Sequence, residues 1–180
     1  MRAARGRDKV AGVRRHREKA AVRGTGRTAA ARVRDVQRAR LYAFEDRELR
    51  VLAWPQLSLA ACRGWVGVAY AFLEGPGAEP PRVTDGRGRR HAAGSREVIH
   101  LPRWARRLPV VLHECAHGVT PDRHGPLFVR AYVELLVVFA GYGRLELETA
   151  VRRAGLRIAP RAALFELLPP ASLAARQALR

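Results

Sequence analysis

Between residues 41 and 52 the apolar positions Leu41, Phe44, Leu49 and Leu52 fall at offsets 0, 3, 8 and 11, with Arg and Glu around them. That is one stripe of a helix, and it predicts a first amphipathic helix ending before Pro55. From Ser58 to Phe72 the chain is apolar nearly all round, until the breaker Gly75-Pro76-Gly77. A helix buried on most sides, central to the core, is expected there. After Pro80-Pro81 the pattern changes to the short pieces RVT, RRHAA and EVIHL, separated by Asp85-Gly86 and Gly94-Ser95 and closed by Pro102. These read as a small antiparallel sheet. Three helical segments follow, at about 104–118, 126–140 and 144–154, and residues 161–180, with Pro169-Pro170, read as a C-terminal tail. Helices with a small sheet make the predicted class α+β.

The third predicted helix carries the chemistry. Its segment VVLHECAHGVTPDRHG holds His113-Glu114-x-x-His117, with a third histidine at 124. With Leu108 as origin, Val111, Leu112, Cys115 and Val119 form an apolar stripe, whereas His113 and His117 project about 140° and 180° away from it. Histidines at i and i+4 are neighbours on a helix surface, so their imidazoles can converge on one metal ion. Glu114 is adjacent but turned aside, placed to take a proton from water as a general base. Cys115 is a ligand by type but lies on the core side, where it packs. The third ligand is His124, Glu134 or Asp122. The return of the chain through Gly118 and Pro121 to Gly125-Pro126 favours His124, and Glu134 is where glutamate zincins would place theirs. The spacing to His124 is one residue longer than the metzincin pattern.

Composition sets the limits around this motif. The chain has 180 residues, 48% of them apolar, enough for one well-cored domain. The formal charge is +18, almost all of it arginine, since Lys9 and Lys19 are the only lysines. Residues 1–34 hold +10 of that charge without an apolar period, so a disordered basic tail is expected ahead of a domain over 35–160. Two readings of the tail stand: a nucleic-acid arm binding phosphates in a salt-dependent way, and a solvated tail or overlong start. Its Arg-rich, acid-poor composition also fits a transit peptide. Cys62 and Cys115 are the only cysteines, and the apolar runs are interrupted by Arg63 and Glu134, short of the ~20 residues a membrane span needs. A reduced, cytoplasmic setting without a membrane is expected.

The segments RDVQRARLYAFEDREL, EVIHLPRWARRLPVVLHECAHGVTPDRHGPLFVRAYVELL and AGLRI resemble a family of small predicted zinc metallohydrolases from actinobacteria and their phages, over residues 33–159. The element His124-Gly125-x-x-Phe128 is similar to the third-ligand element of SprT-like and WLM-type metalloproteases. The resemblance implies a compact zincin-like domain, with His113, His117 and His124 on Zn2+ and Glu114 as base. It also suggests EVIHL as the sheet edge to which an extended peptide adds. The expected function is therefore a zinc-dependent metallopeptidase acting on a peptide or protein. Another metal-dependent hydrolase, either a nuclease or an amide hydrolase, and a non-catalytic basic nucleic-acid-binding protein with a structural metal are the alternatives. Candidates for stabilising the oxyanion are His100, Tyr132, Tyr142 and Arg123.

Overall fold

The computed structural model describes residues 35–169. The basic segment 1–34, with the arm and disorder readings attached to it, lies outside the described residues, as does 170–180. The first helix, α1, spans Arg38–Phe44 and continues as a π-helical turn over Glu45–Leu49 and a 3-10 turn over Val51–Ala53. Helix α2 spans Leu59–Glu74, followed by strands β1 (Arg82–Thr84), β2 (Ala93–Gly94) and β3 (Val98–His100). Then come a 3-10 turn at Arg103–Ala105 and helices α3 (Leu108–Val119), α4 (Pro126–Ala140), α5 (Arg144–Arg153) and α6 (Arg161–Leu167). The fold is α+β with helices dominating.

The amphipathic stripe of the first segment is interrupted where the π turn begins. The wider turn adds a residue, and Arg50 follows in the left-handed region at φ 47°. The phase is thereby reset: Val51 is buried and Leu52, expected on the core stripe, is 62% exposed. Helix α2 starts as predicted at Ser58, whose Oγ accepts the Ala61 N–H at 3.0 Å. Helix α4 stops at Gly141, which takes φ 76° and donates its N–H to the Leu136 carbonyl, a conformation that a residue without Cβ adopts at little cost.

The sheet is mixed rather than antiparallel, in the order β1-β3-β2. The Gly94-Ser95 turn makes β2 and β3 an antiparallel pair, with Gly94 opposite Ile99. The chain from β1, however, passes β2 before reaching β3, so β1 and β3 run parallel, with Val83 opposite Ile99. EVIHL is accordingly the central strand, and the edges are β1 and β2. Helix α3 packs between α2 and α4, and β2 lies against α3. Cys62, Val66 and Tyr70 of α2, Leu112 and Cys115 of α3 and Leu135 and Leu136 of α4 are fully buried around it. Both cysteines are free.

The packed chain also runs beyond the expected boundary at residue 160. Helix α6 buries Leu164, and Leu168 just after it is buried too, so part of the segment read as a C-terminal tail belongs to the core. Among the described residues no helix is long and apolar enough to cross a membrane.

Candidate metal centre

Helix α3 presents His113 and His117 one turn apart, and the turn after it returns His124 to the same point. Arg123 makes that return in the left-handed region, at φ 55°. The three Nε2 atoms stand 3.1 Å (His113 to His117), 3.2 Å (His117 to His124) and 3.3 Å (His113 to His124) apart. Three imidazole nitrogens at about 2.0–2.1 Å from a tetrahedral ion would be roughly 3.3–3.4 Å from one another, so the triangle fits a metal ion.

The partners on the far side of the rings support the same assignment. His113 Nδ1 lies 2.6 Å from Glu45 Oε1 and His124 Nδ1 lies 2.8 Å from Asp35 Oδ2. An ionised carboxylate only accepts, so both Nδ1 atoms carry protons, and in the neutral rings both Nε2 atoms present lone pairs. Two lone pairs 3.3 Å apart cannot hydrogen-bond to each other. A cation would satisfy both at once, and carboxylate partners of this kind hold the tautomer and aim of metal-binding histidines. His113, His117 and His124 thus form a group able to bind a metal ion.

The surroundings act differently on the three rings, favouring the neutral form at His117 and His124. Burial, then the neighbouring His113 and His124 rings, push His117 down to about 2. Burial also lowers His124, against the hydrogen bond it donates to Asp35. At His113 burial acts in the same direction, but the Glu45 carboxylate outweighs it and holds the ring above the usual histidine value. Phe128 packs against all three imidazoles, with ring centroids 4.9, 4.4 and 5.1 Å away. Tyr132 lies beside His113, at 5.5 Å. The face of α3 that carries the histidines is therefore covered rather than open, and His113 is 5% exposed. Much of the cover is α1. Gln37, the residue just before α1, donates Nε2–H to the His124 carbonyl at 2.9 Å and accepts the Arg157 N–H, fixing the loop that delivers His124.

The other candidate residues are engaged elsewhere. Asp122 accepts the N–H groups of Leu127 and Phe128 at 2.8 and 3.0 Å, capping the start of α4. Gly125 is the residue that leaves room for this cap, because a Cβ there would run into the Asp122 carboxylate. Glu134 accepts from Arg130, Arg144 and Arg161. Cys115 is buried in the core, where loss of solvation raises its thiol pKa. Of the residues considered for the oxyanion, His100 pairs with Thr84 at 2.7 Å, Tyr132 donates to the Pro109 carbonyl and Tyr142 donates to the Leu49 carbonyl. Tyr42 of α1 also packs against the centre, with its ring 5.5 Å from that of His124 and 6.1 Å from that of His113. It is half exposed, and burial, then the charges of Glu114 and Glu45, keep its hydroxyl protonated.

Glu114 points into the cleft beside His113 and receives the Gly94 backbone N–H. Burial drives its carboxyl up to about 7, against the pull of His113. A cation held by the histidines would draw that value back down. The cleft has a volume of about 370 Å³. A larger hollow of about 560 Å³ follows the β1 edge, and none of the three histidines lines it.

The end of the motif helix is fitted closely. A Cβ on Gly118 would collide with the Tyr70 hydroxyl, a buried group with no hydrogen-bond partner among the described residues. Gly118→Ala is expected to destabilise the fold by about 1–3 kcal/mol, the usual cost of overpacking. Tyr70→Phe removes the nearest obstructing atom and should restore part of the loss while costing little alone, the Ser95 carbonyl at 3.0 Å remaining. Urea unfolding of both single variants and the double variant measures this, and a double variant no more stable than Gly118→Ala would refute it.

Comparison with protein-family models, curated proteins and solved structures finds no match. The metal-binding assignment rests on the geometry above.

Proposed function

We propose that this protein is a metal-dependent hydrolase, with zinc as the ion, a peptide bond as the target and Glu114 as the general base. The observation that carries the reading is the triangle of three Nε2 lone pairs, two of them set by carboxylates behind the rings. An ion held there supplies Lewis acidity, which acidifies water and polarises a carbonyl. Nitrogen-only ligands suit zinc, and three protein ligands leave a position open, as catalytic zinc sites require. Glu114 takes the proton of the attacking water on its carboxylate and returns it to the departing amine. A purely structural metal site would have no use for a buried carboxylate standing beside the three histidines but outside their ligand set. The Gly94 N–H favours the charged carboxylate, and Tyr42, which lines the same cleft beside the His124 ring, is the residue we assign to donate to the oxygen on which charge develops.

The lining of the cleft favours a peptide over a phosphodiester. In a chain of charge +18, the residues that line it include Glu45, Asp46 and Glu114 and neither arginine nor lysine. A phosphate backbone entering there would meet like charge, whereas an uncharged amide would not. This reading agrees with the SprT-like and WLM-type resemblance of the motif.

Glu114→Gln is the test. The variant is expected to fold and bind metal as the parent does, yet to lose at least ~10²-fold in turnover of a peptide library. Parent-like hydrolysis by the Gln variant would remove Glu114 from the mechanism.

A further inference from the structure

The cleft that reaches His113 and Glu114 has walls of a distinct kind. Val51, Leu52, Ala92, Trp104 and Val110 line it, with His113 and Glu114 at its inner end. Leu52 and Trp104 are 62% and 45% exposed, and they reach its rim from turns on either side, the 3-10 turn after α1 and the one before α3. The π turn and left-handed Arg50 place Leu52 there, by turning Val51 into the core in its stead. Trp104 is held in position, since its Nε1–H donates to the Arg90 carbonyl at 3.2 Å. Two large apolar side chains kept in water beside a reactive centre mark a place where a ligand covers them.

We infer that this cleft is a specificity subsite, which takes an apolar side chain of the substrate residue next to the bond that is cut. The inference rests on the hydrolase reading above. Continuity supplies the occupant: because His113 and Glu114 line the same cleft as Trp104, a side chain seated against Trp104 has its own backbone beside His113 and the Glu114 carboxylate. At about 370 Å³ the cleft is near the small end of ligand pockets, roughly 300–1,000 Å³, which suits one side chain with a short stretch of backbone. Charge narrows the choice further. With Glu45, Asp46 and Glu114 in the lining and no arginine or lysine, an acidic side chain is repelled.

Small hydroxamates test the subsite by binding to the zinc-loaded full chain, without turnover. Acetohydroxamic acid reports the metal centre alone. Hydroxamates bearing an isobutyl or benzyl side chain are expected to bind at least about tenfold tighter in titration calorimetry, and one bearing a carboxyethyl side chain no tighter than acetohydroxamic acid. Leu52→Ala and Trp104→Ala together should erase the apolar gain and leave acetohydroxamic acid binding unchanged, since both side chains lie at the surface and the core is untouched. Three results would overturn the subsite while leaving the metal reading intact: no apolar gain, a gain that survives both truncations, or an acidic probe that binds as tightly as the apolar ones. If acetohydroxamic acid itself fails to bind the zinc-loaded chain, the hydrolase reading falls and the subsite falls with it.

Discussion

His113→Ala and His117→Ala are each expected to abolish metal binding, and His124→Ala to weaken it, because His113 and His117 remain a turn apart on α3 when His124 is lost. Metal per chain after dialysis, with competition against a chelator for the affinities, measures all three. The positions behind the rings should matter as well. Glu45→Gln leaves the His113 ring in place but replaces an ionised acceptor by an amide at 2.6 Å, and a loss of about 10–100-fold in affinity is expected. Asp35→Asn should act in the same direction through His124. If His124→Ala keeps the parent affinity and Glu134→Ala does not, the third ligand has been assigned to the wrong residue.

Glu134→Ala should instead cost stability and spare the metal. The Glu134 carboxylate is buried in α4 and accepts from Arg144 at 2.6 Å, Arg161 at 3.1 Å and Arg130 at 3.3 Å. Among the described residues, removing it leaves the buried Arg130 with Glu148 as its remaining carboxylate and takes away the ion pairs that tie Arg144 of α5 and Arg161 of α6 to α4. Breaking a buried ion pair from one side costs about 3–5 kcal/mol. The low end, about 3 kcal/mol, is expected because Arg144 and Arg161 are partly exposed and can turn to water. Denaturant unfolding reads the effect, with Glu134→Gln as a milder variant that keeps the acceptor oxygen. A loss below about 0.5 kcal/mol in Glu134→Ala would show that the network contributes little.

The contrast between these two sites shows which features could be read along the chain. Histidines at i and i+4, followed by a glycine and proline return to a third histidine, are local signals, and the structure brings those three rings together. Glu134 occupied a plausible ligand position by spacing, but the arginines that claim it come from three different stretches of chain. The partners of the rings are equally distant: Glu45 meets His113 across 68 residues and Asp35 meets His124 across 89. A hint was nonetheless present. Gln37 and Glu45 stand four residues before and after Leu41, on the stripe that faces the core, and polar residues at buried positions need partners. Helices α2, α4 and α5 were legible from their apolar periods and the glycines and prolines at their ends. The mixed sheet was not, because strand pairing is decided by the path of the chain between strands. Leu52 was misplaced for a different reason: a helical period presumes an unbroken helix, and the π turn shifts the phase. Tyr42 went unnoticed because an isolated tyrosine on a charged helix face carries no spacing signal.

X-ray absorption at the zinc edge of the loaded, full-length protein tests the metal centre most directly. The predicted result is one zinc per chain with a first shell of nitrogen and oxygen only, at about 2.0–2.1 Å, and outer-shell scattering from three imidazoles. The outer-shell signal should fall to two imidazoles in His124→Ala. Sulfur in the shell would transfer a ligand role to Cys115 or Cys62, and an unaltered three-imidazole signal in His124→Ala would contradict the site described here.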